Sequence, residues 1–154
     1  MDIEEQYDKI YRYCYFKIYD VQLAQDITQE TFLRFYKQGL SLSSGKELPY
    51  LYTIAKNLCI DNFRKKAVES LEDMAEKVTY DPTVEWIESL SLRMLISKLP
   101  EDEQELIFLR YVNDIPITAI CKITGLSRFA IYRRLSKSLK WLKEELLKEG
   151  FSNE

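Results

Sequence analysis

The sequence predicts an all-α protein made of two small helical domains joined by an acidic linker. Three observations predict it. Gly and Pro number only four each in 154 residues, while Leu, Ile, Lys and Glu abound, so the composition favours helices and offers few breakers. Apolar residues recur at steps of three and four along most of the chain. That periodicity lapses over residues 67–83, which hold Asp81-Pro82 and open a stretch, 67–92, with seven acids and one base.

The first helix is expected over residues 3–19, with Ile3, Tyr7, Ile10, Cys14 and Ile18 on one stripe. The second is expected over 21–38, with Ala24, Ile27, Thr31 and Phe35 facing inward. Residues 39–48 are rich in Ser and Gly and read as a loop. Pro49 then suits the first turn of a third helix, whose inner face is Leu51, Ile54, Ala55, Leu58 and Asn62 and whose end is the basic run Arg64-Lys65-Lys66. After the linker, structure resumes near Val84 and a helix runs to about Leu99. Pro100 opens the next one, with Glu101, Asp102 and Glu103 where the helix dipole favours acids, and it ends around Asn113-Asp114. A short helix over about 117–124 stops at Gly125, and Ser127 caps a last helix reaching about Lys148. The expected domains are residues 1–66 and 84–154, with 67–83 between them.

The hydrophobic content of 46% supports real cores, and the net charge of −3 argues against bulk affinity for nucleic acid. The distribution matters more than the sum. Residues 1–66 carry ten bases and nine acids, and residues 93–154 carry eleven bases and nine acids, so the acidic excess sits in the middle. There is no His, and Cys14, Cys59 and Cys121 lack metal-ligand spacing. They read as reduced, buried thiols of a cytoplasmic protein. No nucleophile has an obvious base and no glycine-rich phosphate loop is present, so neither an enzyme nor a cofactor is expected. The acidic N-terminus has no apolar run of the secretory type, and no segment is long enough to insert in a membrane.

Residues 117–135 carry the most specific pattern. A helix-turn-helix needs a small residue where its helices touch, a turn residue that tolerates positive φ, and apolar anchors in the second helix. Cys121, Gly125, and then Leu126, Ile131 and Leu135 fill those places. Arg128, Phe129, Tyr132, Arg133 and Ser136 point away, with Lys137 close by. From Arg128 to Lys143 there are six Lys/Arg and no acid, whereas a solvated helix normally mixes signs. A basic protein-binding face would also give such a run. Turn, cap and charge in this order favour DNA. Ser127, Arg128, Tyr132, Arg133, Ser136 and Lys137 are the candidate contacts, to phosphates or base edges.

Two further segments matter: Ala24-Gln-Asp-Ile-Thr-Gln-Glu-Thr-Phe-Leu-Arg-Phe-Tyr and Tyr50-Leu-Tyr-Thr-Ile-Ala-Lys-Asn-Leu-Cys-Ile-Asp-Asn-Phe-Arg-Lys-Lys. With Leu99-Pro-Glu-Asp-Glu-Gln and the helix-turn-helix, they resemble the extracytoplasmic-function (ECF) group of the bacterial sigma-70 family, over nearly the whole chain. The resemblance implies a σ2-like bundle of three to four helices and a σ4-like helix-turn-helix domain. It implies a factor that binds core RNA polymerase and directs initiation at promoter DNA by reading −35 and −10 elements. It also implies docking on the β′ clamp helices and the β flap, and an anti-sigma partner. Asp26, Gln29, Glu30 and Leu33 share one face of the second helix. Composition alone would make that a solvated face; the family makes it the polymerase face, with Phe32 and Leu33 as apolar anchors. The third helix, with Tyr52, Lys56, Asn57, Phe63, Arg64 and Lys65, mixes the aromatic and basic residues that hold single strands. Tyr52 and Phe63 suit a core equally well. By resemblance, Tyr52, Lys56, Asn57, Arg64 and Lys65 recognise the −10 element, Asn57 lines the pocket of a flipped base, and residues 39–48 form a specificity loop. The linker is either a solvated spacer or a segment lying in a positive channel of the polymerase.

The chain departs from the family at four places: no aromatic stands in that loop, Tyr50 replaces a Trp, Cys121 an Ala, and Tyr132 a common base. A stand-alone helix-turn-helix regulator is the alternative reading.

Overall fold

The structure is a computed structural model that describes residues 2–38, 46–68 and 90–148. Every regular element among them is helical. The chain divides into two compact units, residues 1–84 and 85–154.

The first unit contains α1 (Ile3–Ile18), α2 (Val21–Gln38) and α3 (Glu47–Val68), each packed on the other two. Local chemistry sets the helix ends. Asp2 Oδ1 accepts from Glu5 N at 3.3 Å, Glu4 and Glu5 sit in the first turn, and Lys17 sits in the last. Tyr19 closes α1 in the left-handed region, at φ 56°, with its N–H on Tyr15 O at 2.8 Å. One residue later Asp20, buried, accepts from Leu23 N at 3.2 Å and starts α2. α3 takes in the last two residues of the expected loop, beginning at Glu47, and it extends to Val68. Tyr50 Oη donates to Gln38 Oε1, joining the end of α2 to the start of α3.

Each helix of this bundle faces two neighbours, so its buried arc is wider than one stripe. On α1 the core residues are Ile10, Tyr13, Cys14, Tyr15 and Ile18, whereas Ile3 is exposed. On α2 they are Ala24, Thr28, Thr31, Phe32 and Phe35, and Ile27 is only half-buried. The two buried threonines return their hydroxyls to the helix, to Ala24 O at 2.6 Å and Ile27 O at 2.7 Å, so neither leaves a polar group unmet. On α3 they are Leu51, Tyr52, Ile54, Ala55 and Cys59. Tyr13 and Tyr52 meet edge to face, with centroids 5.2 Å apart.

The second unit contains α4 (Leu90–Ser97), α5 (Glu101–Ile107), α6 (Ile117–Thr124) and α7 (Arg128–Lys148), with α7 packed on α4, α5 and α6. Gln104 reaches back from α5 and donates to Leu99 O at 2.8 Å, meeting a carbonyl beyond the end of α4. After Ile107 the helix widens into one π turn, Phe108–Val112, where Asn113 N bonds Phe108 O at 3.0 Å. The core is Leu95, Leu106, Phe108, Leu109, Ile115, Ile120 and Ile131, extended by Leu135 and Leu142. The expected linker beyond residue 68, the start of the following helix at 84–89, and most of the expected specificity loop lie outside the described residues.

Candidate nucleic-acid interface

The turn between α6 and α7 is built as the residue types require. Gly125 sits at φ 78°, in the left-handed region, and donates its N–H to Cys121 O at 2.8 Å. Ser127 Oγ accepts from Ala130 N at 3.1 Å, which caps α7. Ile131 and Leu135 are buried and Leu126 half-buried, so the anchors hold the helix by one side. Burying two such side chains contributes about 1.5–3 kcal/mol each. All three cysteines are free thiols; Cys14 and Cys59 are buried as expected, whereas Cys121 is only half-buried.

The opposite side of α7 is open. Ser127, Arg128, Phe129, Tyr132, Arg133, Ser136 and Lys137 are all exposed, with Lys140 and Lys143 further along. The helix therefore presents cations along most of its length. Arg134 is the exception within the basic run. Its Nη1 lies 2.9 Å from Asp102 Oδ2, and Ser138, buried one turn on, donates to Glu103 Oε2 at 2.9 Å. The acidic first turn of α5 thus both suits its own helix dipole and ties α7 in place. At its exposure the ion pair contributes only about 0–1 kcal/mol. Its consequence is directional, since Arg134 turns to α5 and away from the open face.

In the first unit, Asn57, Phe63, Arg64 and Lys65 are exposed along α3, and Lys56 is half-buried. Arg34 on α2 joins Arg64, Lys65 and Asp61 in lining an open cavity of ≈ 490 Å³. Tyr52 does not belong to this surface. It is fully buried against Tyr13, so the expectation that it stacks on a DNA base is corrected: α3 packs on α1 as well as α2, and that second contact encloses the ring.

The face of α2 is polar with an apolar tip. Asp26 and Gln29 are exposed, and Asp26 accepts from Gln22 Nε2 at 3.1 Å. Glu30 pairs with Arg34 at 2.9 Å. Leu33 is 58% exposed. Phe32, expected as a second anchor, is 6% exposed and lies against Tyr7 of α1 with centroids 5.4 Å apart, so it is corrected to a core residue. Tyr36, which the sequence reading passed over, is exposed three residues beyond Leu33 and supplies the second apolar group of this face. Its signal was the i, i+3 spacing from Leu33.

Among the described residues there is no group of three or more His, Cys, Asp or Glu able to hold a metal ion. No helix among them is long and apolar enough to cross a membrane.

Residues 3–68 match the Sigma-70 region 2 family, and residues 89–142 match the Sigma-70 region 4 family. The chain is 29% identical to the ECF RNA polymerase sigma factor SigW of Bacillus subtilis, over 94% of this chain and 87% of that one. It is 26% identical to the ECF sigma factor SigM of the same organism, over the full length of both. It is 28% identical to the ECF sigma factor BldN of Streptomyces coelicolor, over 82% of this chain and 52% of that one. A solved chain of an RsbN–BldN complex covers 93% of this chain at 21% identity, with a TM-score of 0.35. Two sigma-70 regions in this order, and ECF relatives that align with nearly all of the chain, place it in the sigma-70 family as an RNA polymerase sigma factor of the ECF type.

Proposed function

We propose that the two units divide initiation between them. The first unit docks on the β′ clamp helices of core RNA polymerase through Asp26, Gln29, Glu30 and Leu33, with Tyr36 beside them. The second unit docks on the β flap and lays α7 in the major groove of the −35 element. Ser127, Arg128, Tyr132, Arg133, Ser136 and Lys137 make its contacts, some to phosphates for register and some to base edges for sequence. On α3, Asn57 receives a flipped base of the −10 strand, while Lys56, Arg64 and Lys65 hold its backbone. The factor works in the cytoplasm, performs no covalent chemistry, and is held in check by an anti-sigma protein that covers these faces.

The observation that carries this reading is the division of α7, with one side anchored by Ile131, Leu135 and Ser138 and the other open and cationic. The test is run-off transcription with purified core polymerase and a promoter library. Transcripts that start at a shared pair of elements are expected. No product on any template overturns the reading. Tight binding to duplex DNA with indifference to core polymerase would instead mark a stand-alone regulator.

A further inference from the structure

Phe129 is 73% exposed, the largest exposure among the described large apolar side chains. It stands at the second position of α7, and Arg133, one turn on, holds its guanidinium carbon 5.6 Å from the centre of the ring. Both side chains belong to the open face, whose neighbours Arg128 and Tyr132 are also exposed. A bare phenyl ring at this exposure gains nothing from folding, since burial is what makes an aromatic side chain favourable. It gains on binding, when a partner surface covers it. The residues at the N-terminal end of a recognition helix are those that approach base edges. A guanidinium resting on an aromatic face has fewer orientations to lose when it forms its two hydrogen bonds.

On the reading of α7 as the major-groove helix, we infer that Phe129 and Arg133 form one specificity unit for a thymine–guanine step in the −35 element. Arg133 donates to guanine O6 and N7 through its fork, the pairing that its geometry favours. The Phe129 ring both carries that guanidinium and packs against the C5 methyl of the neighbouring thymine, the one apolar group that the major groove displays. Phe129 is neutral, so its contribution is to sequence preference and not to the phosphate-driven part of affinity.

The test uses holoenzyme and the duplex that wild-type holoenzyme selects from a library randomised over the −35 element. Each thymine of the selected duplex is then replaced in turn by deoxyuridine, which lacks only the methyl. One thymine beside a guanine is expected to show a loss of about fourfold in wild-type affinity, the equivalent of one methyl-sized group withheld from burial. The same replacement is expected to cost Phe129→Ala nothing. Phe129→Ala places a strong helix former at an exposed helical position, so it folds. Its slope of log affinity against log salt is expected to equal that of wild type, because no charge is lost. Arg133→Ala is expected to lose preference for the adjacent guanine. A selected element without such a thymine, or equal deoxyuridine penalties in wild type and Phe129→Ala, overturns the inference and leaves the major-groove reading standing. A wild-type holoenzyme with no base preference anywhere in the randomised element overturns both.

Discussion

Leu33 and Phe32 are adjacent apolar residues of α2, and replacing each by Ala separates docking from folding. Leu33 is 58% exposed and Phe32 is 6% exposed. Full burial of a leucine side chain is worth about 1.5–3 kcal/mol. A partner that covers the exposed half of Leu33 therefore gains about 1 kcal/mol that Leu33→Ala forfeits, a loss of roughly fivefold in affinity for core polymerase. Stability should hardly move, since an exposed helical Leu→Ala change lies within about 0.5 kcal/mol. Phe32→Ala removes a ring packed on Tyr7 and should destabilise the first unit by about 3–5 kcal/mol. Affinity is measured by competition against a fluorescently labelled wild-type chain for core polymerase, and stability by urea unfolding followed by circular dichroism. Both measurements are made below the unfolding range of each variant. If Phe32→Ala unfolds like wild type while losing polymerase, the assignment of inner and outer positions on α2 is wrong; if Leu33→Ala binds like wild type, Leu33 is not a docking residue.

Gly125→Ala meets no atom within 4 Å, so its cost is conformational alone. The left-handed backbone costs an L-residue about 1–2 kcal/mol, offset by roughly 0.4–1 kcal/mol from a less flexible unfolded chain, for a net loss near ~1 kcal/mol. Gly125→Asn should lose less. Trp141 lies in α7 of the second unit, so thermal melting followed by tryptophan fluorescence reports it. Ser127→Ala leaves Ala130 N without its cap and should cost the same unit about 1 kcal/mol in that melt. Lys137→Ala should weaken −35 duplexes of every sequence alike and lower the salt slope of holoenzyme binding by about 1, which filter binding across a salt series measures. Asn57→Ala should change the preferred −10 sequence while leaving −35 preference unaltered, as run-off transcription from a −10 library would show.

The helix-turn-helix was legible to single residues. Gly125 and Ser127 act on backbone within four positions of themselves, and α6 ends and α7 begins where those residues put them. The open face of α7 was legible for the same reason. One anchor stripe at helical spacing leaves the opposite side to solvent where no second neighbour packs on it. The exposed Leu33, Asp26 and Gln29 of α2 followed from the same geometry.

Tyr52, Phe32 and Arg134 were decided elsewhere. Each lies beside an inward stripe, where spacing permits either side. Tyr52 and Phe32 turn inward because α1 supplies Tyr13 and Tyr7 to meet them. Arg134 turns from the open face of α7 because Asp102, 32 residues earlier, lies within 2.9 Å. Local signals in the sequence settled where helices start, stop and turn, because caps, φ preferences and periodicity act over a few residues. Only the tertiary structure settled which borderline side chains become core and which remain to bind, because that depends on residues distant in the chain that packing brings alongside.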